Sequence, residues 1–141
     1  MIEIINQQKR HRINKNNFKN LLKRLVEFYK LEDPDVTLAF VNNRTIKELN
    51  NRFLNKNAPT DVLSFPINEK GADGKFYLGD IIICVPQASK QCFSKKHDLE
   101  REMELLTIHG FLHILGFEHF AEMEEEENTI RNLLLEGEHG N

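Results

Sequence analysis

His109-Gly110-Phe111-Leu112-His113-Ile114-Leu115-Gly116-Phe117-Glu118-His119 places three histidines within eleven residues. Four residues of α-helix turn the chain by about 400°, so His113 stands almost above His109, about 6 Å along the axis. Two imidazoles so placed can reach one ion at bond lengths of about 2.0–2.1 Å. Gly116 stands where a helix ends on a left-handed residue, a turn that brings His119 back toward the same ion. Six histidines in 141 residues make three at ligand-like offsets hard to attribute to chance. Leu99, Met103, Leu106, Leu112 and Leu115 recur at helical spacing, so the histidines sit on a helix with a buried face.

Three neutral imidazoles leave a divalent ion its full charge and at least one open position, whereas a closed structural site takes four protein ligands, often including Cys. No fourth ligand stands clearly nearby; Glu118 is adjacent but need not point inward. An open site of this kind suits metal-assisted hydrolysis. Zinc is the expected metal, one per chain, with nickel or cobalt as substitutes in such a nitrogen site. The spacing H-x₃-H-x₂-G-x₂-H is also that of the metzincin peptidases, which carry a general-base Glu directly after the first His. Gly110 stands there instead, and a glycine takes no proton.

Outward from this run, Asp98 is positioned to cap the histidine helix, and Pro86 to open a helix reaching about Phe93. Asp80 to Val85 reads as a buried strand, and Val62 to Phe65 as a short strand stopped by Pro66. Lys70 to Gly74 forms the turn between them. Asn43 can cap a helix over Thr45 to Phe53. Val36 to Val41 and Ile2 to Ile5 read as strands, and Asn17 to Tyr29 as an amphipathic helix. A last helix is expected from about Ala121 to Leu135, with Leu133 and Leu134 inward. Met123 reads as a helix-packing residue. The expectation is one α+β domain over residues 1–141, with about four strands in a mixed sheet, about five helices and the histidine helix packed on the sheet.

Hydrophobic residues make up 40% and charged residues 29%, ordinary for a globular protein. No apolar run approaches the ~20 residues of a membrane span, and the start is too short and acidic for a signal peptide. Cys84 and Cys92 form no CxxC pair and read as reduced thiols of a cytoplasmic protein. Charge is uneven: residues 1–60 carry a net +6 and residues 101–141 a net −8. The basic part can meet a polyanion that the acidic part repels. His11, His97 and His139 lie in polar stretches and read as solvated.

The histidine run, with Pro59-Thr60-Asp61-Val62-Leu63-Ser64-Phe65-Pro66 and Leu78-Gly79-Asp80-Ile81, resembles the YbeY family of rRNA maturation endoribonucleases over nearly the whole chain. That resemblance implies an α+β fold, zinc on His109, His113 and His119, and cleavage of single-stranded RNA in ribosome biogenesis, with rRNA and ribosomal subunits or proteins as partners. Beside it, Thr60 and Asp61 read as turn residues or as the border of a zinc cleft in which Ser64 or backbone groups face substrate. Asp80 reads as a turn or hydrogen-bonding residue, or as part of the site.

The family's usual arginine, six positions before the threonine, is Leu54 here. Arg52 is the candidate catalytic cation in its stead. Two residues of helix turn a side chain by about 200°, so Arg52 serves only if the helix has ended or the following loop rearranges. Two other functions fit parts of the pattern: a zinc metallopeptidase with metzincin-like spacing, and a non-catalytic zinc-containing ribosome-assembly factor.

Overall fold

The computed structural model of the chain describes residues 1–117 and 120–136. In chain order its elements are β1 (Ile2–Asn6), α1 (Lys15–Phe28), β2 (Asp35–Val41), α2 (Asn43–Leu54), β3 (Val62–Lys70), β4 (Phe76–Cys84), α3 (Val85–Lys95), α4 (Leu99–Ile114) and α5 (Phe120–Ile130), followed by a π-helical turn at Arg131–Glu136. The four strands form one mixed sheet in the order β1-β2-β4-β3. β1 and β4 run parallel to β2, and β3 runs antiparallel to β4 at the edge. The expected α+β architecture is therefore present, with four strands and five α-helices among the described residues.

Alternation along the strands divides the core in two. Ile81 and Ile83 face one side with Leu38 and Phe40. There they meet Phe18, Leu22 and Leu25 of α1 and Ile108, Phe111 and Leu112 of α4, all wholly or almost wholly buried. Ile82 and Cys84 face the other side, where Leu63 and Phe65 of β3 join Ile46 and Leu49 of α2. The histidine helix and α2 thus lie on opposite faces of the sheet.

Three local expectations are corrected. Asn42, one residue earlier than expected, caps α2, its side chain accepting from the Thr45 N–H at 2.9 Å. β3 does not stop at Pro66 but runs on to Lys70, with a shift in pairing between Pro66 and Glu69. Proline is tolerated because β3 is an edge strand and needs no N–H on its outer side. At the C-terminal end Leu134 and Leu135 are buried while Leu133 is 52% exposed. The wider π-helical turn shifts the inward face by one residue from the α-helical period. Met123 is buried, as its packing role requires.

Candidate metal centre

α4 starts where Asp98 caps it, its carboxylate accepting from the Arg101 N–H at 2.8 Å. It ends in a Schellman turn. Gly116 takes φ +99°, its N–H donates to the His113 carbonyl at 3.0 Å, and the Phe117 N–H donates to the Leu112 carbonyl at 3.1 Å. The chain therefore reverses immediately after the second histidine. His119, the expected third ligand, lies outside the described residues, as do Glu118 and His139.

His109 and His113 stand one turn apart with ring centroids 4.7 Å apart and planes inclined at 76°. His113 is exposed and His109 partly so. His109 Nδ1 makes a short hydrogen bond to the Glu127 carboxylate of α5. A carboxylate only accepts, so Nδ1 carries a proton, and in the neutral imidazole Nε2 is then the nitrogen with the lone pair. An imidazole oriented through one nitrogen by a carboxylate and open at the other is the arrangement found behind metal-ligating histidines. The two described imidazoles therefore fit a nitrogen-liganded divalent ion. Alanine in place of Glu127 is expected to weaken zinc affinity by about 10- to 100-fold, and glutamine by less, because its amide oxygen still accepts. Competition with a chromophoric chelator measures this; wild-type affinity in Glu127→Ala would remove the carboxylate from the centre.

A cleft of about 300 Å³ opens beside His109. It is lined by Asp61 and Val62 at the start of β3, by Leu105, Leu106 and His109 of α4, and by Glu127 and Arg131. Asp61 is held by β4 and α3. Its carbonyl accepts from the Cys84 N–H at 2.8 Å, and its carboxylate accepts from the Gln91 amide at 3.1 Å. Lys95 and Glu102 line the same cleft. Glu102 is wholly buried, with Lys95 Nζ at 3.1 Å and His97 Nε2 at 2.5 Å. His97 is therefore not the solvated residue its polar neighbours suggest: a buried carboxylate needs partners, and His97 supplies one.

Gly110 explains the missing peptidase base. It faces the sheet, and a Cβ built on it would lie 2.7 Å from Ile81 Cγ2 and 3.1 Å from Ser64 Oγ. α4 approaches the sheet so closely that the position after the first histidine has no room for a side chain. Ser64 accordingly abuts the helix backbone. Asp80 is on the other face of the sheet, away from the histidines, where burial raises its carboxyl above the usual range and a hydrogen bond with Thr37 opposes the rise.

Arg52 is on α2, which packs on the sheet face opposite the histidine helix. α2 continues through Leu54 and ends on Asn55 in the left-handed region, φ 58°, so the helix has not ended at Arg52. Its guanidinium lies 5.5 Å from the Phe53 ring centroid.

Sequence reasoning missed Glu127 because it is one of four consecutive glutamates, Glu124 to Glu127. Only the helix docking distinguishes it, together with Glu126, which accepts a hydrogen bond from the Tyr29 hydroxyl. That contact and burial raise the Tyr29 pKa above its ordinary value, burial being the larger cause.

The family model described as endoribonuclease YbeY matches residues 3–134. Among named relatives, the endoribonuclease YbeY of Oceanobacillus iheyensis is 37% identical over 134 residues, covering 86% of this chain and 87% of that protein. That of Staphylococcus carnosus is 40% identical over 114 residues, covering 77% and 74%. A Thermotoga maritima protein with a structure determined in solution superposes with a TM-score of 0.63 at 29% identity, covering 94% of this chain and 87% of that one. With the histidine pair, the Gly116 turn and the sheet order all in place, the match over nearly its full length shows that this chain belongs to the YbeY endoribonuclease family.

Proposed function

We propose that the protein is a metal-dependent endoribonuclease that cleaves single-stranded RNA in rRNA maturation, with one zinc ion held by His109, His113 and His119. The observation that carries this is the His109–Glu127 pair beside an open cleft: one imidazole nitrogen is committed to a carboxylate and the other is available to an ion. Bound there, the metal supplies an electrophilic centre at a phosphate oxygen and acidifies water. The chain's own part is orientation and electrostatics. Glu127 holds the His109 tautomer. The glutamates of α5 repel a polyanion from that side and leave the basic first part of the chain to receive it. The ribosomal subunit is the expected setting.

Family membership and Gly110 both count against the peptidase. Among the described residues no helix is long and apolar enough to cross a membrane. Both cysteines are free thiols, which agrees with a cytoplasmic site of action.

The test is an assay of zinc-loaded protein on single-stranded RNA, duplex RNA and a peptide pool. Cleavage of the first alone is the expected result. A 2′,3′-cyclic phosphate end would identify the neighbouring 2′-OH as nucleophile, and a linear phosphate as the sole first product would identify water. Cleavage of peptides without RNA, or of neither, would overturn the proposal in favour of a peptidase or a non-catalytic assembly factor.

A further inference from the structure

The last turn of α2 carries an exposed aromatic ring that the core does not use. Phe53 is 56% exposed. One exposed aromatic ring is ordinary on any protein surface; this one is held in place and flanked by a cation. Phe65 of β3 meets it edge to face, with centroids 5.4 Å apart and planes at 64°. The Arg52 guanidinium lies 5.5 Å from its centroid. The helix end beneath it is fixed: Asn55 caps in the left-handed region, and the buried Asn50 donates its amide to the Ala58 carbonyl at 2.9 Å. The segment that carries the ring is basic, with Arg44, Lys47, Arg52 and Lys56 against Glu48 alone over residues 42–57.

Its position relative to the metal centre is set by β3. Ser64 and Phe65 are consecutive, so they point to opposite faces of the strand. Ser64 abuts α4 at Gly110, next to His109, while Phe65 abuts Phe53. The ring and the histidines are thus back to back across a single strand. That strand is the sheet's edge, so among the described residues no further strand bars the way round it.

We propose that Phe53, braced by Phe65 and flanked by Arg52, is a stacking platform for a base of single-stranded RNA next to the cleavage site, the backbone passing round the edge strand from the histidine cleft. This rests on the RNA reading given above. Every base has a π-face, so stacking on one ring holds unpaired RNA without reading sequence, and an adjacent guanidinium strengthens it. A base inside a duplex has both faces covered by its stacked neighbours, so the platform adds selectivity for unpaired RNA. Arg52 then contributes to holding substrate from the far side of the sheet and not to the charge at the scissile phosphate.

The chain contains no tryptophan, so Phe53→Trp introduces a single indole reporter. In metal-free protein, where no cleavage intervenes, a single-stranded RNA of about ten nucleotides is expected to quench that fluorescence, and a blunt RNA duplex to leave it nearly unchanged. Phe53→Ala is expected to weaken binding of the same RNA by about 5- to 100-fold, with the thermal midpoint and zinc content held at wild-type values. Arg52→Ala should give a smaller loss that shrinks as salt rises. An unquenched indole together with wild-type affinity in Phe53→Ala would overturn the platform while leaving the nuclease reading intact. So would a Phe53→Ala protein that loses thermal stability but not affinity. Wild-type protein that neither binds nor cleaves single-stranded RNA would overturn both.

Discussion

Replacing His113 by alanine is expected to lower single-stranded RNA cleavage by at least about three orders of magnitude and to strip the protein of zinc. The expectation follows from where the side chain stands. His113 is exposed, so its removal opens no cavity and buries no polar group, and the metal-free fold should keep its thermal midpoint. The loss would then belong to the centre and not to folding. His109→Ala should match it in activity. In that variant Glu127 also loses its partner, so the docking of α5 should loosen as well. Metal analysis, thermal unfolding and initial rates on one RNA separate these effects. A His113→Ala protein cleaving at the wild-type rate would remove the histidine pair from the mechanism.

Gly110→Glu should be the most damaging single change to the fold. On paper it completes the peptidase signature, setting a general base directly after the first ligand. In the structure even a methyl group there approaches Ile81 Cγ2 to 2.7 Å. A longer side chain must force α4 off the sheet or bury a carboxylate without a partner. Overpacking alone costs about 1–3 kcal/mol, and burying an unpaired charge adds more. The total is a large share of the ~5–15 kcal/mol that holds a typical domain together. Urea denaturation should show Gly110→Glu largely unfolded. Gly110→Ala should lose less, because its better helix propensity returns about 1 kcal/mol. A stable Gly110→Glu protein that cleaved peptides would reverse the assignment.

The features legible in the sequence are those set by local geometry. The i,i+4 histidines, the Asp98 cap and the Gly116 turn each depend on a few neighbouring residues, and all are found as expected. Features that depend on partners distant in the chain were not legible. Whether Pro66 ends a strand depends on whether that strand is central or at the edge, which the order β1-β2-β4-β3 decides. Asn42 and Asn43 are equivalent to any local rule, and the backbone chose the first. His97 stands in a polar stretch, and only the burial of Glu102 on the next helix gives it work. Leu133 and Leu135 exchange places because a π-helical turn breaks the period from which an inward face is read.

The two helices that build the centre are unequal. Nine of the sixteen residues of α4 are buried, whereas in α5 the described side chains that reach the core are Met123 and Ile130. Elements with few buried contacts open at a lower free energy than the molecule as a whole. Local opening of α5 while α4 stays seated on the sheet is therefore the expected way for Glu127 to part from His109, against the hold of the buried Leu134 and Leu135 in the turn that follows. An ion held in the proposed centre is then expected to exchange at the rate of that local opening and not of global unfolding, which metal-exchange kinetics would measure. The same chain can hold its ion tightly at equilibrium and still exchange it on the timescale of a local fluctuation.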